Sequence, residues 1–219
     1  MLTAVIFDMD GVIVDTEGLQ SKSFEHVLSK HKVTPVYNEH GIVQEVGVNA
    51  RDNWHRLKQL HKLEPDIESL YEQKQAAYER LLSAEIKPMP GLLPLFELLK
   101  ENEIKTAIAS SSSLRHIELI LNQLSLFDQF DIVVSGDQVK NGKPAPDIFL
   151  AAAQKLKVGI NECVVIEDAP TGVKAANNAS IKVIAVPNEF TKKHSFDHAD
   201  LIVPSLESLS LEILQNLVV

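Results

Sequence analysis

The sequence predicts an α/β protein: a doubly wound, Rossmann-like parallel-sheet core with a small α-helical domain inserted after the first strand. Three observations carry this. Short β-branched apolar runs end abruptly in polar residues, and each is followed by a segment with helical apolar spacing. The runs are continuous rather than alternating, as in strands buried on both faces of a parallel sheet. The interval between the first and second runs is far longer than the roughly dozen residues of an ordinary crossover, and it reads as helix.

The first run, Thr3–Phe7, stops at Asp8-Met9-Asp10-Gly11-Val12. Residues 17–31, about 50–62 and about 66–84 read as helices and hold the only tryptophan, Trp54. Pro88-Met89-Pro90-Gly91 breaks the chain before a helix at 92–102. Hinges are therefore expected near Thr16 and Ile86–Pro90, with a core of residues 1–15 and 86–219 and a helical cap domain of residues 16–85. Lys105–Ala109 then runs into Ser110–Ser113, which are expected to open a helix at 114–125. Asp131–Val134 runs into Ser135-Gly136-Asp137, with a helix at 147–157 beyond it. Cys163–Ile166 runs into Glu167-Asp168 and a helix at 171–179. Lys182–Val186 runs into Pro187-Asn188-Glu189. Strand-helix alternation implies a doubly wound sheet. Such sheets bind ligands at the carboxyl ends of their strands, and every polar cluster named here falls at that edge.

Composition narrows the function. The chain has 219 residues, 45% of them hydrophobic, enough for one sizeable core or a core with a small second domain. A net charge of -9 argues against sequence-independent nucleic-acid binding, which needs Lys and Arg to displace phosphate counterions, and against an anionic membrane surface. The single cysteine, Cys163, forbids an internal disulfide and reads as a buried small apolar residue. No segment approaches the length of a membrane span. These features describe a soluble, cytoplasmic protein, with a monomer as the default expectation.

The polar edge collects Asp8, Asp10, Ser110, Lys143, Glu167 and Asp168. Four converging carboxylates raise one another's pKa unless a cation offsets them. Hard oxygen ligands without a His or Cys cluster favour Mg²⁺ over zinc. Ser110–Ser113 offer hydroxyls and backbone N–H groups to an anion. A divalent metal, a lysine and such an anion site together describe a phosphate site. A carboxylate facing that phosphate can attack it.

In these motifs the chain resembles the haloacid dehalogenase superfamily, in the branch with a helical cap inserted after strand one, so the core is expected to be HAD-like. Asp8-Met9-Asp10-Gly11-Val12 matches the first motif, Ser110 the second, Lys143 in Gly142-Lys143-Pro144-Ala145-Pro146-Asp147 the third, and Glu167-Asp168 the fourth. The resemblance implies that Asp8 is the nucleophile that takes the phosphoryl group. It implies that Asp10 protonates the leaving alkoxide and then activates water. It implies Mg²⁺ held by Asp8, the backbone carbonyl of Asp10 and Asp168, with Glu167 an extra or more distant ligand. Ser110 and the Ser111 amide resemble phosphate donors, and Lys143 resembles the bridge between Asp8 and the phosphoryl oxygens. An acid at position 10 favours phosphoryl transfer, because a leaving halide needs no proton.

The subgroup resembled is that of β-phosphoglucomutase and the sugar phosphatases. Gly47-Val48-Asn49-Ala50-Arg51-Asp52 resembles the cap loop that reads substrate, with Arg51 and Lys74 as substrate contacts. The mutase keeps a histidine where this chain has Gln20, which cannot titrate, and Asp15-Thr16-Glu17 is the form common among capped phosphatases. The expected activity is Mg²⁺-dependent hydrolysis of a small phosphorylated metabolite, a sugar phosphate, with a β-phosphoglucomutase-type phosphosugar mutase as the alternative. Other positions read blandly. Ser112 and Ser113 are helix cap or substrate rim, Asp147 caps its helix or orients Lys143, and His194 and His198 lie in a surface loop.

Overall fold

The structure, a computed structural model, describes residues 1–38, 41–45, 48–82 and 86–218. In chain order its elements are β1 (Ala4–Phe7), α1 (Glu17–Lys30), α2 (Ala50–His61), α3 (Ile67–Leu82), α4 (Leu92–Glu101), β2 (Lys105–Ser110), α5 (Leu114–Leu124), β3 (Ile132–Ser135), α6 (Asp147–Leu156), β4 (Cys163–Glu167), α7 (Pro170–Asn178), β5 (Lys182–Ala185), β6 (Leu201–Ile202) and α8 (Leu211–Asn216). The chain divides into two compact units: Met1–Asp15 with the chain from Lys87 onward, and Thr16–Ile86. Ser83 and Ala84, in the expected third helix, and Glu85, the expected end of the helical domain, lie outside the described residues. Among the described residues no helix is long and apolar enough to cross a membrane.

The first unit is built on a six-stranded parallel sheet of order β3-β2-β1-β4-β5-β6. Every side chain of β1 is fully buried, because helices cover both faces. On one face Ile6, Ala107 and Val165 pack with Ile148 and Phe149 of α6 and with Val173 and Ala176 of α7. On the other, Phe7 meets Phe96 and Phe130 edge-on, with ring centroids 5.6 and 6.0 Å away. Each buried Val, Ile or Phe among these contributes about 1.5–3 kcal/mol. The strand order reverses between β1 and β4, and the carboxyl ends of those two strands flank the switch point where open α/β sheets bind ligands.

Two local assignments differ from the sequence reading. Ser110 ends strand β2 and does not open a helix; α5 starts at Leu114, and Ser113 occupies its N-cap position without a side-chain bond. The continuous ladder to β3, pairing Ser110 with Ser135, extends the strand past the apolar run. The sequence also gave no sign of β6. It is an edge strand of two residues, with Ile202 53% exposed, so it carries no buried apolar run to recognise.

The second unit packs α1, α2 and α3 around Phe24, Val27, Leu28, Trp54, Leu57 and Leu70. The Phe24 and Trp54 rings lie 4.9 Å apart. Asn49 caps α2 by accepting from the Asp52 N–H at 3.0 Å. Beyond its C-terminus the Lys58 ammonium collects the carbonyls of Leu63, Glu64 and Pro65 and so ties the following loop back to the helix.

Candidate active site

Asp8 directly follows β1, and its N–H donates to the Ile166 carbonyl at 2.9 Å, extending the β1–β4 ladder to the switch point. The chain then turns tightly. The Met9 carbonyl accepts from Ile13 at 2.8 Å, and the Gly11 N–H donates to Val14 at 2.8 Å. Gly11 has φ +85°, and a Cβ there would fall 2.6 Å from Asn188 Nδ2 and 2.6 Å from Asp168 Cγ. Both the backbone angle and the crowding exclude a side chain at this position.

Glu167, the last residue of β4, is wrapped by donors. Its Oε2 accepts from the N–H groups of Asp168 and Ala169, each at 2.9 Å, and its Oε1 accepts from Lys143 Nζ at 2.7 Å. Gly172, in the first turn of α7, lies so close that a Cβ there would overlap the carboxylate. Lys143 Nζ also bonds Asp8 Oδ1 and stands 4.8 Å from the Phe149 ring centroid. Its side chain is only 3% exposed. The loop that delivers it is braced from α6, where Asp147 Oδ1 accepts from both the backbone N–H and the side-chain amide of Asn141. Asp147 therefore steadies the lysine loop from inside the helix, and the N-cap position belongs to Pro146.

Carboxylate oxygens of Asp8, Glu167 and Asp168 all lie within 4.8 Å of one another, and among the described residues they are the one cluster of metal-ligand type. Burial pushes the Asp8 carboxyl up to about 8. The charges of Glu167 and Asp10 push the same way, and Lys143 opposes them. Burial by itself would lower the Lys143 ammonium, but the charges of Asp8 and Glu167 reverse this and raise it. One ammonium cannot neutralise three buried carboxylates. The all-oxygen, anionic donor set fits a hard divalent cation.

Asp10 lies apart from that cluster, with Oδ2 accepting from Ser112 Oγ at 3.1 Å. Ser112, read from sequence as cap or rim, is thus a partner of the second aspartate. Ser110 is buried and its Oγ accepts from the Ser112 N–H at 3.1 Å, whereas Ser111 is exposed. In the helical unit, Arg51 forms a two-point ion pair with Glu68 at 2.7 and 3.1 Å, and its guanidinium carbon stands 3.8 Å from the Tyr71 ring centroid. Lys74 is buried, bonds Gln20 and lies 4.6 Å from the Tyr78 ring centroid. Gly47 of the expected cap loop lies outside the described residues. His194 and His198 are exposed. One site residue went unread: Asn188, in the polar run after β5, donates through Nδ2 to Asp168 Oδ2 at 2.7 Å. The only sequence signal for it was its place at a strand's carboxyl end.

The chain matches the haloacid dehalogenase-like hydrolase family over residues 5–186. It is 35% identical over 183 residues to a phosphorylated carbohydrates phosphatase of Thermotoga maritima, covering 84% of each chain. It is 33% identical over 187 residues to the fructose-1-phosphate phosphatase YqaB of Escherichia coli, covering 83% of this chain and 95% of that one. Its structure is similar to that of CbbY from Rhodobacter sphaeroides in complex with phosphate, with a TM-score of 0.89 and 27% identity, covering 98% of this chain and 100% of that one.

Proposed function

Because this chain belongs to the haloacid dehalogenase-like hydrolase family and is a phosphoric monoester hydrolase, we propose that it releases phosphate from a small phosphorylated carbohydrate through an aspartyl phosphate on Asp8. The observation that carries this reading is the buried cluster of Asp8, Glu167, Asp168 and Lys143 at the sheet's switch point. Asp8 and Asp168, with the main-chain carbonyl of Asp10, would hold Mg²⁺. When bound, that cation supplies positive charge to the phosphoryl oxygens and offsets the carboxylates. Glu167 anchors Lys143 and is engaged on three sides by protein donors.

In the first step an Asp8 oxygen forms a bond to phosphorus. The bond from phosphorus to the sugar oxygen breaks, and the leaving alkoxide takes the proton of Asp10. In the second step water attacks the same phosphorus and gives its proton to Asp10, and the bond to Asp8 breaks, releasing phosphate. These roles need Asp8 ionised and Asp10 able to hold a proton. The Ser112 hydroxyl supports the second role by steadying Asp10. Lys143 meets the charge on Asp8 before attack and the phosphoryl oxygens during it. Ser110 and the Ser111 amide supply further phosphate donors. Arg51 and Lys74 are proposed as substrate contacts of the helical unit. Arg51 would first release Glu68, a solvent-screened surface pair that holds it only weakly.

The test is phosphate release from a panel of hexose and pentose monophosphates with Mg²⁺. Hydrolysis is expected for at least one sugar phosphate and is expected to fall to background in Asp8→Asn. Wild-type turnover by that variant would remove Asp8 as nucleophile. A parallel assay follows conversion of β-glucose 1-phosphate to glucose 6-phosphate. Isomerisation outpacing phosphate release would replace hydrolysis with a mutase reaction. Gln20 favours hydrolysis, because it donates and accepts hydrogen bonds but cannot shuttle a proton.

A further inference from the structure

We propose that Asn188 is a positioning residue for the cation: its side-chain amide fixes the plane of the Asp168 carboxylate and so sets the affinity for Mg²⁺. The inference rests on the metal-dependent reading above and names the residue that tunes it.

Asn188 follows β5 in the run Pro187-Asn188-Glu189 and is held on both sides. Its Oδ1 accepts from the N–H groups of Phe190 and Thr191, at 2.9 and 3.2 Å. Its own backbone N–H donates to Thr191 Oγ1 at 3.0 Å, and Thr191 is fully buried. These bonds use the carbonyl end of the amide, so the NH₂ end must face the other way. There Nδ2 meets Asp168 Oδ2 at 2.7 Å. The amide orientation is thus fixed by the network and is not a free choice between oxygen and nitrogen.

A bland alternative is that Asn188 merely makes the turn after β5. That turn needs only a side-chain oxygen, which aspartate supplies equally well. What aspartate lacks is the donor on the far side, where it would set a further carboxylate against Asp168. The chemistry of the site, not the turn, therefore asks for an amide. The Gly11 backbone closes the arrangement from the β1 side, leaving no room for even a Cβ beside Asp168 and Asn188. Asp168 is 2% exposed, so its carboxylate has little solvent to orient it. Partners of this kind typically change metal affinity or activity about 10- to 100-fold when removed.

The experiment is calorimetric titration of Mg²⁺ alone into the full chain, paired with steady-state kinetics over a Mg²⁺ series. In Asn188→Ala the Mg²⁺ dissociation constant is expected to rise about 10-fold or more. kcat at saturating Mg²⁺ is expected to recover to within about threefold, with the sugar-phosphate KM unchanged. Thr191→Val removes two bonds of the turn, one accepted by Thr191 Oγ1 from the Asn188 N–H and one donated by it to Asn188 Oδ1, but keeps the donor to Asp168 and the two N–H bonds to Asn188 Oδ1, and it is expected to hold the Mg²⁺ dissociation constant within about twofold even if the melting temperature falls. Equal Mg²⁺ affinity in wild type and Asn188→Ala overturns the proposal, as does an equal loss in Thr191→Val, which would make the effect one of loop stability. If wild type itself binds no Mg²⁺, the metal-dependent reading falls too, and that result is distinct from equal binding by the two proteins.

Discussion

Lys143→Met tests whether the buried ammonium holds the site together before any cation arrives. The methionine keeps the length of the chain and its contact with Phe149 but removes the charge. Two charge-assisted bonds disappear, to Asp8 and to Glu167, each worth about 1.5–3 kcal/mol. Removing one partner of a buried ion pair costs about 3–5 kcal/mol in total, since the carboxylates left behind stay desolvated. For a chain of this size, about 2–4 °C accompanies each kcal/mol, so a fall of roughly 6–20 °C is expected. The assay is thermal unfolding in EDTA at pH 7.5. Each compact unit has its own probe: Cys163, buried in β4, reports opening of the sheet by thiol labelling, and Trp54 reports the helical unit by fluorescence. The loss should appear in the Cys163 signal. Lys143→Met/Glu167→Gln should recover part of it, because the second change removes one stranded charge. A sheet-unit loss under about 2 °C would refute the idea that this ammonium neutralises the cluster.

Three further outcomes are expected. Gly172→Ala drives a methyl into the Glu167 carboxylate and should reproduce much of the Lys143→Met defect in stability and phosphatase activity, whereas an untouched melting temperature would contradict the close approach. The Asp8 carboxyl titrates near 8 in the folded, metal-free chain against an ordinary 3.8, so between those values the unfolded chain loses its proton first. Metal-free stability should therefore fall as pH rises from 4 to 8, while the stabilisation by Mg²⁺ grows over the same range; a Mg²⁺ shift in melting temperature that is flat with pH would count against Asp8 as a ligand. Burial holds the Cys163 thiol up at about 11, so native protein should react with a thiol-specific disulfide reagent far more slowly than denatured protein, and comparable rates would mean that β4 is exposed.

Much of the fold was legible because β1, β2, β4 and β5 are buried on both faces and leave unbroken apolar runs, and the half-buried edge strand β3 keeps an apolar run as well. β6 was not, since only two residues pair there and one of them is exposed. In the site, residues at strand ends were easy to find because a carboxylate there has no place in an apolar core. What escaped were pairings made across long stretches of chain. Nothing in sequence ties Arg51 to Glu68, which meet only when α2 and α3 pack side by side. Nothing ties Asn188 to Asp168, which meet because β4 and β5 are neighbours and the turn after β5 points its amide back. A serine run resembles a helix cap, and only the ladder to Ser135 makes Ser110 strand.

The central place of β1 in the sheet also bears on how the protein is made. Ala4 pairs with Lys105 on one side and with Cys163 on the other. A chain emerging from the ribosome therefore exposes Asp8, the proposed nucleophile, long before either neighbouring strand exists. The residues of Thr16–Ile86 follow immediately and draw their contacts from within a contiguous segment. That helical unit is expected to fold first, while β1 stays unpaired. Chaperone dependence during synthesis should then track the delay before β4 is released, and a nascent chain stalled before Cys163 should remain sensitive to protease at its first fifteen residues.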